Sequence, residues 1–143
     1  MSGAAGRFGD CVALAPDGGP PVTFHHLDEL ARRAAAGLRR LGLDEGAVVG
    51  LDLPSDPTWV AAYAGASAIG AVASGLNPRL APAEKAAVLD RLGADLVVTP
   101  GVAAELLTAP PDDALRPDAD PERVACVVWT SGTTGEPKGA VFR

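Results

Sequence analysis

Apolar positions along the chain follow two periods, and the switches between them mark its elements. Leu27, Leu30, Ala31, Ala34, Leu38 and Leu41 are spaced to draw one stripe along a helix, with Arg32, Arg33, Arg39 and Arg40 on the other face. Those arginines read as solvated positive charge near the helix C-terminus. Gly42 follows the last apolar position, where a left-handed C-cap favours glycine. Val48 to Leu53 predicts a strand stopped by Pro54. Asp56 as N-cap and Pro57 at the first helical position predict a second helix through Trp59 to Ile69, closed by Gly70. Ala71 to Leu76 follows as a second strand, ended by the turn at Asn77-Pro78. Pro82 then opens a third helix through Leu89 and Leu92 to Gly93, and Leu96 to Thr99 is a third strand. Short apolar strands alternating with amphipathic helices predict an α/β fold, a mostly parallel sheet flanked by helices.

Composition narrows the picture. A chain of 143 residues, 48% hydrophobic and 21% charged, has room for one packed domain and lies away from the signature of disorder. Lys+Arg of 12 against Asp+Glu of 18 gives a net charge of -6, and aromatic residues are only 4%. Such a chain repels a phosphodiester backbone and offers few stacking surfaces, so nucleic acid is excluded as a partner. Residues 57–78 carry no charge and are long enough to cross a bilayer, but they are mostly Ala, Gly and Ser and are divided by Gly70, so no transmembrane segment is expected. Residues 108–122, with Pro110, Pro111, Pro117 and Pro121 among Asp112, Asp113, Asp118 and Asp120, read as an acidic surface loop. Cys11 and Cys126 sit in apolar stretches and read as two buried thiols, with a disulfide between them left open. His25 and His26 lack ligand partners at metal spacing and read as surface helix residues, while Trp59 and Tyr63, four apart, read as one packed face. The N-terminus has no continuous apolar core of a signal peptide, which makes the cytoplasm the expected compartment.

The densest chemistry follows the apolar strand Val124 to Trp129. Thr130-Ser131-Gly132-Thr133-Thr134-Gly135-Glu136-Pro137-Lys138-Gly139 packs four hydroxyl residues and three glycines into ten positions around one lysine. Glycines let backbone N–H groups approach a ligand closely, hydroxyls add donors, and Lys138 adds a compact positive charge. That combination suits a polyphosphate. The Walker A pattern fails, because Pro137 rather than glycine precedes Lys138 and Gly139 follows it.

This segment resembles the signature loop T-S-G-[ST]-T-G-x-P-K-G of the adenylate-forming superfamily, which includes acyl-CoA synthetases and peptide-synthetase adenylation domains, and every position matches. Thr23-Phe24, Val48 to Leu53, the small residues around Gly70 and Leu76-Asn77-Pro78-Arg79-Leu80 are also similar to the family's N-terminal region. The resemblance implies a ligase that activates a carboxylate with ATP and Mg2+ to an acyl-adenylate and passes the acyl group to coenzyme A, in a setting such as fatty acid metabolism. It implies that Thr130, Ser131, Thr133 and Thr134 donate to phosphate, that Gly132, Gly135 and Gly139 let the loop move, that Pro137 stiffens its exit, and that Lys138 offsets phosphate charge. Residues 1–143 then form the N-terminal portion of the adenylation domain, truncated just after the loop and inactive alone, with no catalytic or metal-ligating residue of their own. Ala140-Val141-Phe142 is expected to begin a strand whose sheet neighbours are missing. Three other readings stay open: a fragment of a peptide-synthetase adenylation domain, a non-catalytic nucleotide-binding module, and one subunit of a split enzyme that meets a complementing chain.

Overall fold

The computed structural model describes residues 2–113, 122–130 and 137–143. Its elements run α1 (Ser2–Phe8), β1 (Val12–Leu14), β2 (Val22–Thr23), α2 (Phe24–Arg40), β3 (Val48–Leu51), α3 (Pro57–Ala68), β4 (Val72–Gly75), α4 (Pro82–Leu92), β5 (Leu96–Val98), α5 (Pro100–Leu106), β6 (Cys126–Thr130) and β7 (Lys138–Phe142). Strands β5, β3, β4 and β6 lie side by side in parallel, and β7 closes the order antiparallel to β6. The expected α/β class and mostly parallel sheet are present.

Local chemistry accounts for the helix ends. The Thr23 hydroxyl accepts from the His26 amide at 3.2 Å, and the Asp56 carboxylate accepts from the Trp59 amide at 3.0 Å with Pro57 behind it. Gly42, Gly70 and Gly93 take φ of 82°, 76° and 65°, the left-handed backbone needed just beyond α2, α3 and α4. Helix α3 has 12 residues, and among the described residues no helix is long and apolar enough to cross a membrane.

Successive strand residues face opposite sides of a sheet, and the two sides here are covered unequally. Val49, Leu51, Ala73 and Val98 point to the side where Ala35 and Leu38 of α2, Ala62 and Ala66 of α3, and Ala103 and Leu106 of α5 meet them in one buried cluster. Gly50, between Val49 and Leu51, points the other way, and a Cβ there would lie 2.6 Å from Leu89 of α4. Right-handed crossovers produce this split: the chain steps from β3 to β4 in one direction and from β4 to β5 in the other, so α3 and α4 fall on opposite faces. Helices α2 and α3 touch through small residues. A Cβ on Gly65 would come within 2.8 Å of the Ala35 amide nitrogen and the Ala34 methyl.

Three features depart from the sequence expectations. Helix α5 follows β5 directly, capped by Thr99 with Pro100 in its first turn, and α1 with the β1–β2 pair precedes α2. Cys11 is exposed and Cys126 half-buried, both as free thiols, rather than buried. Three of the α2 arginines are paired with carboxylates, and Arg40 is exposed as expected. Arg32 meets Asp28 and Asp113, Arg33 meets Glu29 at 2.7 Å, and Arg39 meets Asp112 at 3.5 Å and Asp44 at 3.9 Å. The start of the acidic segment is therefore laid on α2; an exposed pair such as Arg39 with Asp44 contributes no more than about 1 kcal/mol.

Candidate functional site

Parallel sheets bind ligands in the crevice beyond the carboxyl ends of their strands. Here a cavity of about 620 Å³ opens at that edge, beside the ends of β3, β4 and β6. Leu53, Trp59, Tyr63, Leu76, Val88 and Trp129 give it apolar walls, and Ser55, Asn77, Glu84 and Thr130 supply polar atoms.

The cavity exists because β4 and β6 separate. Their ladder pairs at one position, Ala73 with Cys126. Beyond it, buried Ser74 spans the gap: its hydroxyl donates to the Val127 carbonyl at 2.9 Å and accepts from the Trp129 indole N–H at 2.9 Å. This one side chain ties β6 to the sheet where backbone pairing has stopped. Trp129 is thereby held with its ring over Gly139, where a Cβ would be 3.4 Å from the ring and 3.0 Å from a Val127 methyl. Gly139 in this hairpin gives the Trp129 ring and Val127 room to pack over it.

Strands β6 and β7 pair from Cys126 opposite Phe142 to Thr130 opposite Lys138. The Thr130 hydroxyl donates to the Lys138 carbonyl at 3.3 Å, a link between the two strands at the last pair before the connecting segment. Thr130 and Pro137 both line the cavity, so the signature segment leaves and re-enters the fold at the cavity rim. Ser131, Gly132, Thr133, Thr134 and Gly135 lie outside the described residues, as does Glu136. The chain has two lysines. Lys85 is engaged with Asp52 at 2.6 Å, whereas Lys138 stands exposed at the start of β7.

On the cavity's other wall Trp59 and Tyr63 stack with ring centroids 5.4 Å apart and an interplanar angle of 7°. Burial, reinforced by the hydrogen bond to Cys126, pushes the Tyr63 phenol above its usual range, against a smaller lowering by Ser67. The phenol stays neutral at physiological pH and acts there as a hydrogen-bonding wall group. His25 and His26 are exposed at the start of α2 and do not line the cavity, and among the described residues no group of three or more His, Cys, Asp or Glu is placed to hold a metal ion. Sequence reasoning read Trp59 and Tyr63 as a packed face, and they are also cavity wall; their four-residue spacing was the available signal. Ser74 was missed. Nothing in Ala73-Ser74-Gly75 says that the hydroxyl will meet β6, some fifty residues away along the chain.

Comparison with known proteins assigns this arrangement a kinship. The profile described as AMP-binding enzyme matches residues 2–143. The chain is 31% identical to 4-coumarate--CoA ligase 1 of Oryza sativa subsp. japonica over 87% of its own length and 28% of the relative's. It is likewise 31% identical to the long-chain-fatty-acid--CoA ligase FadD13 of Mycobacterium tuberculosis, over 84% of this chain and 29% of that one. Among solved structures, the inhibitor-bound N-terminal domain of FACL13 from Mycobacterium tuberculosis superposes with a TM-score of 0.86 at 27% identity, covering 98% of this chain and 42% of that one. The chain thus spans less than a third of the length of these curated relatives.

Proposed function

The chain belongs to the AMP-binding enzyme family, and we propose that it supplies the ATP phosphate-binding loop of an adenylate-forming ligase, one that converts a carboxylate to an acyl-adenylate and then to a thioester of coenzyme A. The observation that carries this reading is the placement of the signature segment: Thr130 and Lys138 form the last pair of the hairpin ladder before its loop, and Thr130 and Pro137 line the carboxyl-end cavity. The names of the plant and mycobacterial relatives support an aromatic or fatty carboxylate and favour a coenzyme A acceptor over a peptide-synthetase role.

A polyphosphate suits the residues at this rim. Lys138 is exposed and beside the loop's exit, and a compact ammonium there offsets the charge that builds on the β- and γ-phosphates as the α-phosphate is attacked. Ser131, Thr133 and Thr134 would donate hydroxyl hydrogen bonds, and the backbone N–H groups at Gly132 and Gly135 would approach the phosphates closely. Thr130, whose hydroxyl bonds the Lys138 carbonyl, would hold the two stems together. Magnesium would arrive as MgATP, its charge shared between the phosphate oxygens and ligands beyond these residues. Residues 1–143 act in this reading as the N-terminal portion of the adenylation domain and are inactive alone, since one phosphate loop supplies only part of the positioning that adenylation needs; activity requires the rest of the domain, in the same chain or a complementing one.

The test is carboxylate-dependent ATP–pyrophosphate exchange. In a full-length protein carrying this segment, Lys138→Ala lowers the exchange rate by about tenfold or more, the scale expected when one preorganised charge is removed from a reacting phosphate. An unchanged rate sinks the role given to Lys138, and exchange by residues 1–143 alone sinks the claim that they are inactive.

A further inference from the structure

We propose that Ser74 is a positioning residue for the adenylation reaction, one that acts through the indole of Trp129 to fix both stems of the phosphate-binding loop against the sheet; this rests on the reading of the loop given under Proposed function.

The loop springs from a weakly anchored strand. Backbone pairing between β4 and β6 is confined to Ala73 opposite Cys126, at the start of β6, whereas Thr130 lies at its end. On its other side β6 pairs with β7, every residue of which is exposed. A two-stranded hairpin is marginal in water by itself, so the direction of this one is set by what joins it to β4.

Ser74 is that joint. It is 1% exposed, its hydroxyl proton goes to the Val127 carbonyl at 2.9 Å, and its oxygen receives the Trp129 indole N–H at 2.9 Å. A carbonyl can only accept and an indole N–H can only donate, so one orientation of the hydroxyl serves both. Trp129 carries this anchor to the two ends of the loop. It immediately precedes Thr130, where the segment leaves β6, and it pairs with Gly139, which follows Lys138 where the segment joins β7. A Cβ on Gly139 would stand 3.4 Å from Cη2 and Cζ3 of the indole, so the ring lies directly over the β7 backbone. With its nitrogen held by β4 and its far edge over β7, the indole spans β6, and a shift of the ring displaces Thr130 and Lys138 together. When a step depends on donors placed around a phosphate, a displacement of about 1 Å set by a residue away from the reacting atoms is enough to slow it.

The test is carboxylate-dependent ATP–pyrophosphate exchange in a full-length protein carrying this segment. Ser74→Ala raises the KM for MgATP by about tenfold and leaves the KM for the carboxylate within about twofold of wild type. A mere loss of folded enzyme would lower kcat and move neither KM. Trp129→Phe keeps a ring over Gly139 but has no N–H to donate, and it reproduces the change; it decides the matter alone if Ser74→Ala fails to fold. The double variant is no worse than either single one, because both break the same hydrogen bond. The positioning role is overturned if both single variants keep the wild-type KM for MgATP, if the two KM values rise together, or if the single effects multiply in the double variant. Lys138→Ala reports on the loop separately. If it is neutral while Ser74→Ala raises the KM for MgATP, the lysine's role falls and the positioning stands; if it slows exchange while Ser74→Ala and Trp129→Phe are neutral, the loop reading stands and the positioning falls.

Discussion

The layer formed by α2, α3 and α5 on the sheet and the β6–β7 hairpin both carry large apolar residues, yet one is closed and the other open. In the layer, Leu38, Val49, Leu51 and Val98 are fully buried, and alanines and glycines let helix backbones approach closely. In the hairpin, Val128, Val141 and Phe142 face solvent, and one hydroxyl secures β6 to β4 beyond their single paired position. The difference teaches where stability and chemistry reside. The signature segment springs from the less supported element, so changes in the layer act on folding as a whole and changes in the hairpin act on the loop's footing.

The largest expected effect breaks the closed side. Gly65→Val places a branched side chain where even a Cβ would lie 2.8 Å from the Ala35 amide nitrogen, with backbone rather than a flexible side chain in the way. Overpacking at such a contact costs about 3 kcal/mol, so the urea unfolding midpoint drops sharply or cooperative unfolding is lost. A midpoint unchanged from wild type would mean that α2 and α3 are free to separate and that the layer is not the stable half.

Removing the hairpin's tie is a smaller change. Ser74→Ala leaves the Val127 carbonyl and the Trp129 indole N–H without their present partner, at a cost of about 1–3 kcal/mol. The loss is expected to be local: amide exchange accelerates in 126–130 and 138–142 and stays slow in α2 and α3. Uniform acceleration across the chain would show that hairpin and layer unfold as one unit, which erases the contrast.

Much of this contrast was legible in the sequence. The helical stripe of Leu27 to Leu41, the Asp56-Pro57 start and the glycines after α2, α3 and α4 are local signals, and local geometry honours them. Helix α5 carried the same kind of signal in Thr99-Pro100 followed by Val102, Ala103 and Leu106, but a seven-residue helix presents too few turns for a clear period. Helix α1 had less to show, since its Gly3 and Gly6 argue against helix and it is fixed by distant contacts such as Phe8 with Phe24 at 6.0 Å. The loop signature was the strongest motif, and a strand was expected on either side of it, but Thr130, Lys138 and Gly139, read as loop, belong to β6 and β7. Its support was illegible: Ser74 to Val127 and Ser74 to Trp129 join residues far apart in the chain, and no local pattern encodes such pairings.

The smallest effect sharpens the comparison at the seam between the two regions, where Tyr63 of the layer meets Cys126 of the hairpin. Burial is the main cause of its raised pKa, so the folded protein holds the phenol proton to higher pH than the unfolded chain does. A group whose folded pKa lies above its unfolded value contributes stability that is complete below the unfolded value, near 10 for tyrosine, and is lost as pH rises through the folded one. Tyr63→Phe has no phenol to ionise. Its stability therefore escapes the loss that wild type undergoes as pH rises above about 10. The chain has a single tyrosine, so tyrosinate absorbance titrates this group directly in both folded and urea-unfolded protein. Coincident titration curves would mean that water reaches the phenol freely, and that the seam is as open as the outer edge of β7.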